Sequence, residues 1–188
     1  MRQQDDDKKQ RVKDAVKEVI LQEGFGGASI AKIAKHAGVS PATVYIYYEN
    51  KEDMMNSIFA EFASNMWAAV LCGVDENASG SEIVNKLLHN YYNYMTENAT
   101  VFSFVEQFAS CPALAKNFSG QEYASDVLSL IETLKNKQVL KAYNSISLFA
   151  MLFFPVKALA AGSVAFEQNA DSLLEELIHA TQDAVLRS

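Results

Sequence analysis

The sequence predicts an all-α protein. Three observations carry that reading: apolar residues recur at helical spacing through most of the chain, Ser, Asn, Gly and Pro fall where such runs begin and end, and alternating strand-like stretches are few. No internal repeat or low-complexity tract breaks the pattern.

Val12, Ala15, Val16, Val19 and Ile20 form one stripe, so the first helix is amphipathic, and Gly24 is expected to end it in a left-handed conformation. Phe25 then turns back as a hydrophobic contact. Ser29 is the expected N-cap of a second helix bearing Ile33, Ala34 and Ala37, with Lys32 standing where a capping box takes Glu or Gln. Gly38 stops it. Ser40 followed by Pro41 starts a third helix, because Ser caps orphan amides and Pro at the first helical position loses no hydrogen bond. Asn50 caps a fourth, with Glu52 and Asp53 in its first turn complementing the helix dipole.

The fourth helix carries Met55, Ile58, Phe59, Phe62, Met66, Ala69 and Val70 on one side, and it is expected to link two halves of the chain and end near Cys72, before Gly73. Ser81 is the expected cap of a fifth helix with Ile83, Leu87, Leu88, Tyr91 and Met95 on its apolar side. Further helices are expected around 100–109, 120–137, 145–162 and 171–187, punctuated by Asn98, the Cys111-Pro112 pair, Asn136 and Gly162. Pro155 removes a backbone hydrogen bond inside one of them and is expected to kink it, which either opens space for a ligand or shapes an interface.

Composition narrows the function classes. Of 188 residues, 49% are hydrophobic, enough for a sizeable core in one domain or in a small module joined to a larger one. The N-terminus, MRQQDDDKKQR, is charged where a secretory signal needs an apolar stretch, which points to the cytoplasm. The longest apolar run, Leu148 to Val156, is far short of the ~20 residues of a membrane span. Cys72 and Cys111 form no CxxC spacing, and His36, His89 and His179 share no metal-ligand spacing, so no metal site is expected. GFGG follows a helix rather than a strand and reads as a turn, so no cofactor is expected either.

The net charge of −7 is unevenly spread. Residues 58–188 hold 7 Lys+Arg against 14 Asp+Glu, whereas residues 8–51 hold 8 against 4. The basic excess lies in the segment of short helices, where it suits a phosphate surface, although a merely solvated helix face has the same composition.

Two short helices around Gly38, after an amphipathic first helix, form a helix-turn-helix, a motif in which the second helix enters the major groove of DNA. Val44 and Tyr48 share one face of that helix, which leaves Thr43, Tyr45, Ile46 and Tyr47 to point outward. Hydroxyls and aromatics in such a row suit a phosphate-and-base surface, and Lys51 adds a cation at the start of the next helix. For Tyr47, packing against the first helix is the competing reading.

The segment GFGGASIAKIAKHAGVSPATVYIYYENKEDMM, Gly24 to Met55, resembles the signature of the tetracycline-repressor (TetR) family: GF after the first helix, the IA pair, AGVS at the turn, TVY and an aromatic pair, then NKE. The resemblance covers about a sixth of the chain. It implies that Ser29, Thr43, Tyr45, Tyr47 and Lys51 meet phosphates, while Ser40, Pro41, Ala42 and Ile46 approach bases, with contacts to thymine methyls and DNA shape supplying much of the specificity. It also implies a DNA-binding domain at 1–50, an effector-binding and dimerisation domain at 51–188, and a homodimer on a palindromic double-stranded operator.

Beyond the motif, polar-tipped Tyr and flexible Met among the aromatics suit an adaptable pocket, and Met66, Tyr91, Met95, Phe108 and Phe153 are its candidate lining for a hydrophobic or amphipathic effector. Phe149, Leu174, Leu177, Ile178 and Val185 are the candidate dimer surface. The function expected is that of a DNA-binding transcriptional regulator, a repressor released by its effector. The alternatives are a helical carrier or enzyme for a hydrophobic molecule, and a regulator that needs no ligand.

Overall fold

The computed structural model describes residues 2–109, 123–162 and 169–187, the side chains of 2–4 and 109 excepted. All of its regular secondary structure is helical: α1 (Arg2–Gly27), α2 (Ile30–His36), α3 (Pro41–Tyr47), α4 (Lys51–Leu71), α5 (Gly80–Glu97), α6 (Ala99–Ala109), α7 (Ser125–Asn136), α8 (Ser145–Ala160) and α9 (Ala170–Val185). Cys111, Pro112 and the expected helical start at 120 lie outside the described residues. Two compact units divide the chain, Met1–Ala63 with Thr100–Asn117 and Ser64–Ala99 with Phe118–Ser188. The division falls inside α4, which contributes to both.

The first unit is held by the α1 stripe, where Val12, Val16, Val19 and Ile20 are fully buried, together with Ile33 of α2, Val44 of α3 and Ile58 of α4. Each side chain of this size, fully buried, contributes ~1.5–3 kcal/mol relative to exposure. Helix α1 breaks at Gly24, whose φ of 69° is positive as expected but whose ψ of 176° is extended rather than helical. That corner of backbone space is essentially closed to other residues, so the glycine makes a sharp turn in place of a left-handed cap. Phe25 then packs edge-on against Phe108 and obliquely against Phe104.

In the second unit α8 packs on α5, α7 and α9, with Leu148, Leu152 and Val156 of α8, Leu87 and Leu88 of α5 and Ile178 of α9 fully buried or nearly so. Helix α8 continues through Pro155. The cap of α5 is Ser79, not Ser81: Ser79 and Glu82 form a reciprocal capping box, the S-x-x-E signature lying two residues upstream of the expected start. At the same end of this unit, Leu140 and Leu186 pair as an isolated antiparallel bridge, flanked by Lys141 N–H donating to the Val185 carbonyl and Arg187 N–H to that of Val139.

Candidate nucleic-acid interface

The helix-turn-helix is fixed by its caps. Ser29 Oγ accepts from the Lys32 amide at 3.3 Å, and Ser40 Oγ from the Thr43 amide at 3.2 Å. Between the two helices, Val39 N–H donates to the Ala34 carbonyl and Gly38 N–H to that of Lys35, with Gly38 at φ 63°. These paired bonds form a Schellman turn, in which glycine takes the left-handed position at no steric cost. Arg11 of α1 reaches the same turn, since a Cβ on Gly38 would sit 3.5 Å from its Nη1.

Helix α3 is clamped from one side only. Val44 and Tyr48 are buried, whereas Tyr45 is 57% exposed and Ile46 is 74% exposed. An isoleucine so exposed on a short helix has no packing role, and its methyls are free to meet other apolar groups. Pro41 and Ala42 are also exposed, and Thr43 and Tyr47 are half-buried. Burial pushes the Tyr48 hydroxyl up to about 12, with Glu61 and Asp53 adding to the effect, as suits a core side chain.

The available protons can be counted. Phosphate oxygens only accept, so each protein contact must donate. Ser29 spends its acceptor on the cap and keeps its O–H. Ser40 and Thr43 hydroxyls bond each other at 2.9 Å, which uses one of their two protons. Lys51 Nζ donates to the Phe25 carbonyl at 2.7 Å, tying the start of α4 to the turn after Gly24 and leaving two N–H bonds. Tyr47 is different: its hydroxyl meets the Asp5 carboxylate at 2.5 Å and the Asp5 carbonyl at 3.2 Å. This hydrogen bond chiefly, with desolvation and the charges of Asp5 and Asp6, raises the phenol from 10.0 to about 12.

Thus Ser40, Pro41, Ala42, Thr43, Tyr45, Ile46 and Tyr47 belong to α3 and its cap, and Ser29 and Lys51 belong to the caps and first turns of its neighbours in the same unit. Sequence reasoning missed Asp5 and Arg11, because a contact 42 residues away in sequence leaves no local periodic trace. The only usable signal was the DDD run at the head of α1.

The candidate effector residues are divided between the two units. Phe108 belongs to the first unit, where it stacks on Phe59 with ring centroids 4.2 Å apart. Met66, Tyr91, Met95 and Phe153 are in the second unit and all are buried. There Trp67, the only tryptophan, lies parallel to Tyr91 at 5.7 Å and edge-on to Phe153 at 5.2 Å, and Phe153 contacts Phe149 at 4.9 Å. Of the candidate dimer residues, Leu174, Ile178 and Val185 are buried in the chain's own core, so they offer no surface to a partner, while Phe149 and Leu177 remain half-exposed. Apolar helical spacing marks a buried face without saying which chain buries it.

Residues 14–58 match the family described as bacterial regulatory proteins, tetR family. The chain is 32% identical over 82 residues to a fatty acid metabolism regulator protein of Bacillus subtilis, a stretch that is 44% of this chain and 42% of that one. The matched stretches span 41% to 60% of the lengths of the curated relatives. A crystal structure of a TetR family transcription regulator from Marinobacter aquaeolei superimposes with a TM-score of 0.84 over 100% of both chains at 27% identity. The fold is also that of the transcriptional regulator FadR from Bacillus subtilis in complex with stearoyl-CoA, with a TM-score of 0.71 over 92% of this chain and 96% of that one, at 20% identity. Residues 14–58 therefore match the tetR family of bacterial regulatory proteins, and the described residues of the chain have the all-helical fold of a TetR family transcription regulator.

Proposed function

We propose that the chain is a sequence-specific DNA-binding transcriptional regulator, a repressor that acts in the bacterial cytoplasm and leaves its operator when an apolar or amphipathic effector binds. The observation that carries this reading is α3: capped by Ser40, clamped by Val44 and Tyr48, and presenting Tyr45 and Ile46 to solvent within the family-matched stretch. A rigid short helix with outward apolar and hydroxyl tips suits a major groove, with hydroxyls and Lys51 on the flanking phosphates.

A second copy of the chain completes the operator-binding unit. Ile146, Ala150 and Phe154 recur every four residues along α8, and Ile146 and Phe154 are large apolar side chains left 46% and 55% exposed. With Phe149 and Leu177 they replace the buried Leu174, Ile178 and Val185 as the proposed dimer surface. Light scattering is expected to give twice 20.8 kDa.

Long-chain acyl thioesters are the effector class supported best, since a fatty acid metabolism regulator and a stearoyl-CoA complex are among the proteins this chain is similar to. The Trp67, Tyr91, Phe149 and Phe153 cluster supports an apolar chain-binding site in the second unit, with one ring turning aside to admit the ligand. Coupling is a population shift, in which effector favours a conformer that fits the operator less well. Titration of a labelled duplex over a range of salt concentrations tests the reading. Affinity is expected to fall log-linearly with salt, with a slope of about −0.9 per phosphate contacted, and to fall again on adding an acyl thioester. A carrier or enzyme for hydrophobic molecules shows no such slope.

A further inference from the structure

We propose that Asp5 is an intramolecular stand-in for a DNA phosphate: in the free protein its carboxylate holds the Tyr47 hydroxyl, and DNA must displace it before Tyr47 can contact the backbone. The inference rests on the DNA-binding reading and adds to it a residue that lowers affinity. Three facts support it. Tyr47 lies at the C-terminal end of α3, and its single O–H is directed at Asp5 Oδ1, 2.5 Å away, with the Asp5 carbonyl at 3.2 Å. A phenol has one proton to donate, and neither a carboxylate nor a phosphate has any, so the two anions compete for the same bond. Asp5 is followed by Asp6 and Asp7, all three exposed at the head of α1, so the contact also places negative charge where incoming phosphates are repelled.

Lys8 and Arg11, among the basic residues that follow in α1, make no ion pair among the described residues and can meet the incoming backbone once Asp5 is displaced. The carboxylate mimics a phosphate in charge and acceptor geometry. It therefore sets a threshold: weak encounters with DNA leave it in place, and a full set of phosphate contacts displaces it.

The test is a double-mutant cycle of Asp5→Ala and Tyr47→Phe on the full chain, read by anisotropy of a fluorescein-labelled duplex of mixed sequence at low salt. With Tyr47 present, Asp5→Ala is expected to raise affinity roughly threefold to tenfold, in the range of a charge-assisted hydrogen bond less its replacement. With Phe at 47, the gain shrinks to the smaller effect of removing one charge. Correspondingly, Tyr47→Phe costs little in the wild type and several-fold in the Asp5→Ala background. Asp5→Asn, which keeps an acceptor and drops the charge, is expected to fall between, and it guards against fraying of α1 by the alanine. Equal gains from Asp5→Ala in both backgrounds overturn the competition, because they leave charge repulsion alone. Absence of salt-dependent duplex binding in every variant overturns the DNA-binding reading itself. Binding that appears only once Asp5 is replaced supports the inference most strongly.

Discussion

A side chain that meets a phosphate has to donate, and the donors on the candidate interface are already partly committed inside the chain. Lys51 shows the consequence. Its sequence position promised a cation for DNA, yet one of its protons holds the Phe25 carbonyl beside the Gly24 turn. Lys51→Ala therefore has two expected effects. Stability falls by about 1–3 kcal/mol in urea unfolding, the cost of a charge-assisted hydrogen bond with a partly buried partner, and the duplex salt slope shrinks by about 0.9 per subunit. A lost slope with unchanged stability would show the internal bond to be dispensable. Ile46, by contrast, is 74% exposed: Ile46→Ala is expected to leave stability within about 0.5 kcal/mol while weakening the preference for thymine at one position of each half-site.

At the scale of elements, the structure depends on how helices start and stop. Gly80 opens α5 directly against the two bridged segments around Leu140 and Leu186: an added Cβ would come within 2.7 Å of Val139 Cγ1 and 2.8 Å of Leu186 Cδ2. Gly80→Ala is therefore expected to destabilise by about 1–2 kcal/mol in chemical unfolding, overpacking outweighing the gain in helix propensity. Where α7 meets the start of α8, Ser145 Oγ and Lys135 Nζ both donate to the Glu132 carboxylate. The Ser145 bond first, then the Lys135 bond and charge, lower the Glu132 carboxyl below its usual 4.5. The capping box does the same for Glu82, through the Ser79 hydroxyl and then the Ser79 amide. Both carboxylates favour the folded state above pH 4.5, and the contribution is lost as pH falls through their lowered folded values. Ser145→Ala is expected to flatten the acid limb of a stability-against-pH curve, and an unchanged limb would remove Glu132 from this account.

For the molecule as a whole, the helices were legible wherever a stripe and a cap coincided, as at Ser29, Ser40 and Asn50, because those signals are local and periodic. Ser79 was read two residues late because its capping box sits in a polar stretch with no stripe beneath it. The exposed side of α3 was legible for the same local reason, through the buried Val44 and Tyr48. Contacts distant in sequence were not: the Asp5–Tyr47 bond, the place of Phe108 beside Phe59, and the burial of Leu174 and Ile178 all depend on which helices meet, and apolar spacing does not encode that. The central claim concerns α3, an exposed recognition helix duplicated in a homodimer. Selection of bound sequences from random duplexes tests it most directly. The account predicts enrichment of a two-fold symmetric sequence whose half-sites lie about one helical turn, or a multiple of it, apart, with the Ile46→Ala variant losing preference at one position in each half. A pool that stays random through repeated rounds, or a symmetric site unaltered by changes to Ile46 and Tyr45, would contradict it.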